Sequence, residues 1–193
     1  MSSTTTIRHR SLAVPASLQA PLSVFRNDQA IKSHPKYVEA KAGNVDAAIQ
    51  LVSDLAEPLK MHLAEFDTTT IFVAPHAKES AGDNAIPIVL SAYLAEYCAS
   101  LLDDEIVQVN RVYHTGADAM ERLIAPAEFE GEVVPNGRYV IVDDVVTLGG
   151  TIADLASYIQ VHGGSIVGIV TLVDASRSGS LVCKAKVVRE IDR

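Results

Sequence analysis

Short apolar runs alternate along this chain with longer segments of helical period, and that alternation restricts the fold more than any other feature. Residues 69–75 (TTIFVAP), 139–142 (YVIV) and 165–173 (SIVGIVTLV) are apolar stretches of strand length, the pattern of strands buried on both faces. Behind Asn44, a candidate N-cap, Val45, Ala48, Ile49, Val52, Leu55 and Leu59 recur at steps of three and four, which predicts an amphipathic helix ending near Pro58. Ile86, Val89, Leu90, Tyr93, Leu94, Tyr97, Cys98 and Leu101 predict a second helix, followed by a strand over residues 105–109 (EIVQV). A third is predicted over 151–162 from Ile152, Leu155, Ala156 and Ile159, with Gly163-Gly164 as its stop. Strands that alternate with helices in this way imply an α/β fold, a doubly wound and mostly parallel sheet flanked by helices.

A chain of 193 residues that is 48% hydrophobic has enough apolar material for one compact domain and a modest appendage. The expected division is an N-terminal tail and helix over 1–68 and a core over 69–193. Residues 1–30 contain Pro15 and Pro21 and no sustained period, so they read as extended or mobile chain. No apolar run approaches the roughly 18 residues of a membrane span, which predicts a soluble, cytoplasmic protein without a membrane partner. The net charge of −8 argues against a nucleic-acid partner, which requires a basic face. Charge is unevenly spread, with Arg8, Arg10, Arg26, Lys32, Lys36 and Lys41 against only Asp28 and Glu39 in the first 41 residues. That basic, Ser/Thr-rich start has the composition of a transit peptide as well as of a disordered tail, and it is read as a tail. Cys98 and Cys183 lie far apart without a neighbouring ligand, so both read as buried thiols rather than as a disulfide or a zinc site.

The chemistry concentrates in residues 143–151 (DDVVTLGGT), between a strand and a helix. In an open α/β sheet, ligands bind at the carboxyl ends of the strands. Gly149 and Gly150 let the backbone curl around an anion, Thr147 and Thr151 supply hydroxyl donors, and the next helix presents unpaired amides. A sugar phosphate held there would bring its ring hydroxyls to Asp143 and Asp144, which accept hydrogen bonds or hold a hydrated Mg2+. The plainer reading, a tight turn beside two solvated acids, explains fewer of these residues.

YVIVDDVVTLGGT resembles the phosphoribosyl pyrophosphate (PRPP) motif of type I phosphoribosyltransferases, in which apolar residues lead into two acids and a Thr/Gly-rich loop. The resemblance implies a fold of that type with an N-terminal hood. It implies that Asp143 and Asp144 contact the ribose hydroxyls and Mg2+, directly or through water, and that Val145, Val146, Thr147, Leu148, Gly149, Gly150 and Thr151 wrap the 5′-phosphate. Weaker similarity over residues 69–173 points to the amidophosphoribosyltransferase-like and competence-associated branch, and the N-terminal HPKYVEAKAGNVDAAIQLV resembles orphan bacterial members. There, residues 74–83 (APHAKESAGD) would receive pyrophosphate through His76, Ala77 and Lys78, and residues 111–122 would form a mobile flap containing Arg111, His114 and Arg122. Catalytic roles then fall to Lys78, Arg111, Asp143 and Asp144.

The implied reaction transfers 5-phosphoribosyl from PRPP to a nitrogen acceptor and releases pyrophosphate, in a homodimer. The alternative is a PRPP-sensing regulator without turnover. Thr147 stands where hypoxanthine-guanine enzymes place an acidic base, which disfavours a 6-oxopurine acceptor. No N-terminal cysteine for glutamine hydrolysis is seen, which disfavours a complete amidophosphoribosyltransferase. Lys78 reads as functional because a cation beside an anion site has a purpose in so acidic a chain. His76 reads equally well as a loop residue, and Arg122 as a solvated helix residue. Tyr93 and Tyr97 read as core. His34, Lys36 and Lys41 are candidates to reach the acceptor from the hood, with little in the sequence to favour them.

Overall fold

The structure, a computed structural model, describes residues 11–76, 84–109 and 127–176. Five strands form one fully parallel sheet in the order β1-β7-β6-β2-β3, with β1 Leu22–Phe25, β2 Thr70–Val73, β3 Leu101–Asp103, β6 Arg138–Val146 and β7 Ser165–Asp174. A separate antiparallel ribbon pairs β4 Val107–Gln108 with β5 Phe129–Glu130. The helices are α1 Gln29–Lys32, α2 Tyr37–Lys41, α3 Val45–Leu55, α4 Ile86–Tyr97 and α5 Gly150–Val161.

Both faces of the sheet are covered, as continuous apolar strands require. On one face Ala48, Leu51 and Val52 of α3 and Leu90 and Leu94 of α4 pack with Phe72, Val140, Val142, Val170 and Leu172. On the other, Ile152, Leu155, Ala156 and Ile159 of α5 pack with Ile71, Tyr139, Ile141 and Ile169. Each Val, Leu, Ile or Phe side chain buried in this way contributes about 1.5 to 3 kcal/mol of hydrophobic transfer. Asn44 caps α3 as its sequence predicts, accepting the Ala47 N–H at 2.9 Å.

Several boundaries differ from the sequence reading. Leu101, taken for helix, begins β3, because α4 ends earlier. Ala99 adopts φ 51°, Ala99 N–H bonds Glu96 O at 3.1 Å, and Ser100 N–H bonds Ala95 O at 2.8 Å, a Schellman stop built on alanine. The strand expected over 105–109 therefore lies earlier, at β3, and Val107–Gln108 belong to the ribbon instead. The extended chain near Pro21 becomes β1, an edge strand beside β7. Tyr97 is 51% exposed rather than core, with the Lys60 ammonium 5.0 Å from its ring centre. Cys98 is only half-buried, and that burial pushes its thiol above its ordinary value. Cys183 lies outside the described residues.

The β2-α4-β3 unit runs toward one edge of the sheet and the β6-α5-β7 unit toward the other. The strand order thus reverses between β2 and β6, and their carboxyl ends open onto the crevice where ligands of such sheets bind.

Candidate functional site

Asp143 and Asp144 sit inside β6, which runs on to Val146, instead of closing a strand at Val142. Pairing with β7 explains the extension, since Asp143 is in register with Thr171 and Val146 with Asp174. Only Thr147, Leu148 and Gly149 remain as loop before α5. Thr147 and Leu148 are exposed, and Gly149, Gly150 and Thr151 are half-buried. Gly149 takes φ 70°, a left-handed conformation that lets the chain turn straight from β6 into the helix, with Ala153 N–H bonded to its carbonyl at 2.9 Å. The result is a strand, a three-residue turn and a twelve-residue helix whose N-terminal amides lie just beyond the carboxyl end of β6.

The two carboxylates have different surroundings. Asp144 is 3% exposed, and its Oδ2 receives both the Lys41 ammonium at 2.8 Å and the Asn84 amide at 3.1 Å. Its Oδ1 accepts the Val145 N–H at 2.9 Å. Asp143 accepts the Asp144 N–H at 2.8 Å through Oδ1. Burial, with the charge of Asp144 added, pushes the Asp143 carboxyl well above the usual carboxylate range. A cation or a hydroxyl donor arriving at Asp143 would relieve that strain on its charged form.

His76 follows β2 directly and is half-buried, with Nδ1 3.0 Å from Ala74 O. Its carbonyl accepts Gln108 N–H at 2.7 Å, which anchors the β4-β5 ribbon to the carboxyl edge of the sheet. The Val109 N–H to Glu128 O bond of 2.9 Å extends the ribbon, and Ala127 N–H bonds the buried Asp154 of α5 at 3.1 Å. Ala77 and Lys78, and the flap residues Arg111, His114 and Arg122, lie outside the described residues.

Of the hood candidates, Lys41 alone meets the carboxylate pair. His34 Nε2 lies 3.1 Å from Asp54, and Lys36 bonds Glu39 at 3.3 Å, both on the surface. Burial pulls the Lys41 ammonium down, but the charge and hydrogen bond of Asp144 outweigh it and the net shift is upward. Sequence reading passed over Asn84 and Asp174, which nothing in the motif marks. Asp174 ends β7 at 2% exposure and takes the Arg26 guanidinium at 2.5 Å and the Ser176 hydroxyl. Its position one strand from the acidic pair could be recognised only from the sheet order.

The carboxylates fit a hydrated divalent cation. They are hard oxygen donors on adjacent residues, and the burial and the neighbouring Asp144 charge that raise Asp143 disfavour the ionised form that a metal ion would stabilise. Among the described residues no cluster of three or more His, Cys, Asp or Glu could hold an ion. Such a cation would be held by Asp143 and Asp144, directly or through water.

A family model for the phosphoribosyl transferase domain matches residues 90–192, just over half of the chain. Among curated relatives, the protein TraN of Escherichia coli is 34% identical over 176 residues, covering 88% of this chain and 39% of TraN. An orotate phosphoribosyltransferase of Pyrococcus abyssi is 42% identical over 45 residues, 23% of this chain and 25% of that enzyme. A solved hypoxanthine phosphoribosyltransferase of Staphylococcus aureus aligns with TM-score 0.46 at 16% identity, over 72% of this chain and 70% of that one. The chain thus spans well under half the length of these curated relatives. It belongs to the phosphoribosyl transferase domain family, and its fully parallel five-stranded sheet flanked by helices is the α/β fold expected from the sequence.

Proposed function

We propose that this domain binds PRPP with Mg2+ and transfers the 5-phosphoribosyl group to a nitrogen acceptor, releasing pyrophosphate. The observation that carries the reading is the juxtaposition at the β2/β6 crevice of two adjacent carboxylates, a left-handed Gly149 turn and the N-terminus of α5. In this reading Thr147 to Thr151 cradle the 5′-phosphate, and Asp143 and Asp144 take the ring hydroxyls and orient C1. His76, Ala77 and Lys78 receive pyrophosphate, and Arg111 closes over it from the flap.

The C1–oxygen bond breaks with its electron pair leaving on pyrophosphate, the acceptor nitrogen forms the new bond to C1, and its proton passes to solvent. Mg2+ would supply positive charge to the departing pyrophosphate. The chain contributes placement and fixed dipoles, which cost no reorganisation when the charge moves. Residues 1–68 would form the hood over the acceptor, and a cytoplasmic homodimer is the assembly proposed. Among the described residues no helix is long and apolar enough to cross a membrane.

Pyrophosphate release from Mg-PRPP, measured against a panel of nucleobases and small amines, tests this reading. Protein-dependent release with at least one acceptor is expected. PRPP binding without release from any acceptor would identify a sensor instead, and absence of both would reject the assignment.

A further inference from the structure

The described lysines of the N-terminal half fall into two kinds. Lys32, Lys36 and Lys60 pair with Asp28, Glu39 and Glu57, acids three or four residues away that are about half exposed or more. Such pairs contribute little. Lys41 instead crosses from α2 to β6 and ends on Asp144, whose side chain is 5% exposed. Its backbone is held for that reach. The neighbouring Ala40 is fully buried, and Ala40 O accepts the Ala85 N–H at 3.1 Å, which clamps the end of α2 to the start of α4. Asn84, one residue before that clamp, accepts the Ile86 N–H at 3.2 Å through Oδ1 and donates its amide to the same Asp144 oxygen that Lys41 holds. Three segments distant in sequence therefore meet at one carboxylate.

A carboxylate has about four acceptor positions. Two on Oδ2 are taken by Lys41 and Asn84, and one on Oδ1 by the Val145 N–H. Three donors fix the plane of the group, and the Asp143 carboxyl, hydrogen-bonded to the same side chain, flanks it. A buried ion pair adds little net stability, because desolvation of two charges offsets their attraction. Its consequence here is orientation, together with removal of a negative charge from the path of an anionic ligand.

We propose that Lys41 is a positioning residue of the ligand site: with Asn84 it holds Asp144 in a fixed orientation beside Asp143, so that the acidic pair receives the ring hydroxyls of a pentose 5-phosphate. This rests on the PRPP reading and adds a residue from the N-terminal segment, outside the loop motif, to the site. Lys41 acts through Asp144, so removing it should erase the preference for a hydroxylated sugar while leaving capture of a phosphate group.

Calorimetric titration of the full chain with ribose 5-phosphate and with inorganic phosphate separates these effects. The two ligands carry similar charge, so the ratio of their affinities cancels the general electrostatic loss. Wild type should prefer ribose 5-phosphate. In Lys41→Met that preference should fall about tenfold, the size of one charge-assisted hydrogen bond, and Lys41→Arg should retain most of it. Asn84→Ala, which keeps the cation, should lose part of the preference and decides the matter if Lys41→Met does not fold. An unchanged preference in folded Lys41→Met, or in Asn84→Ala, overturns the role of this junction while leaving the PRPP reading intact. Wild type that binds neither ligand overturns both.

Discussion

At the scale of single residues, the two adjacent acids of the motif are chemically distinct. Asp144 is paired with the Lys41 ammonium and accepts the Asn84 amide, whereas the charged form of Asp143 is disfavoured by burial and by its neighbour. A carboxyl whose pKa is higher in the folded than in the unfolded state contributes stability below the unfolded value near 3.8, and loses it as pH rises through the folded value. Asp143→Asn should therefore make the ligand-free protein more stable than wild type at neutral pH. The gain should shrink toward about pH 4, where wild-type Asp143 is increasingly protonated in both states. Urea denaturation at the two pH values measures this, and a gain that is equal at both would show that Asp143 is not held in a strained charged state. Identity was legible at this scale and environment was not. Two consecutive Asp codes look alike, and the partners that separate them come from α2 and from the start of α4.

At the scale of elements, the Gly149 turn and α5 make the phosphate cradle, and Thr151 at the second position of α5 is its hydroxyl donor in this reading. Thr151→Val keeps the shape and the β-branch. It should lower ribose 5-phosphate affinity roughly ten- to a hundredfold by removing one charge-assisted hydrogen bond, with the melting temperature nearly unchanged. Calorimetry with equal affinities for both proteins would place the cradle elsewhere.

Helix ends show where sequence reading succeeds and fails. α5 stops at Gly163, with φ 93° and the bonds Gly163 N–H to Gln160 O at 3.2 Å and Gly164 N–H to Ile159 O at 2.9 Å. α4 stops by the same hydrogen-bond pattern at Ala99. Glycine advertises a left-handed stop because it alone adopts it without steric cost. Alanine gives no such signal, so the α4 boundary was missed, and with it the start of β3.

For the whole molecule, a ligand that binds only the folded state stabilises it by RT ln(1 + [L]/Kd), about 2.7 kcal/mol at a hundredfold excess over Kd. For a domain of this size that corresponds to a rise of roughly 5 to 10 °C in melting temperature with Mg-PRPP. Thermal denaturation with and without the ligand checks it, and the rise should be absent from the double variant Asp143→Asn with Asp144→Asn. No shift at millimolar Mg-PRPP would count against binding. Stripping out Mg2+ with a chelator should reduce the shift, since Asp143 would then meet the anionic ligand without the charge of the ion beside it.

The sequence by itself determined the strand-helix alternation, the cap of α3, the stop of α5 and the loop between β6 and α5. Each is written in residues close together in the chain, through periodicity, side-chain caps or glycine. Only the tertiary structure decided that β1 joins the sheet beside β7, that β4 leaves it for a ribbon, and that Lys41 and Asn84 converge on Asp144. These are contacts between distant segments. Their partners are chosen by which faces the folded sheet leaves to be buried and by which buried charge needs an opposite one, and a local pattern carries neither.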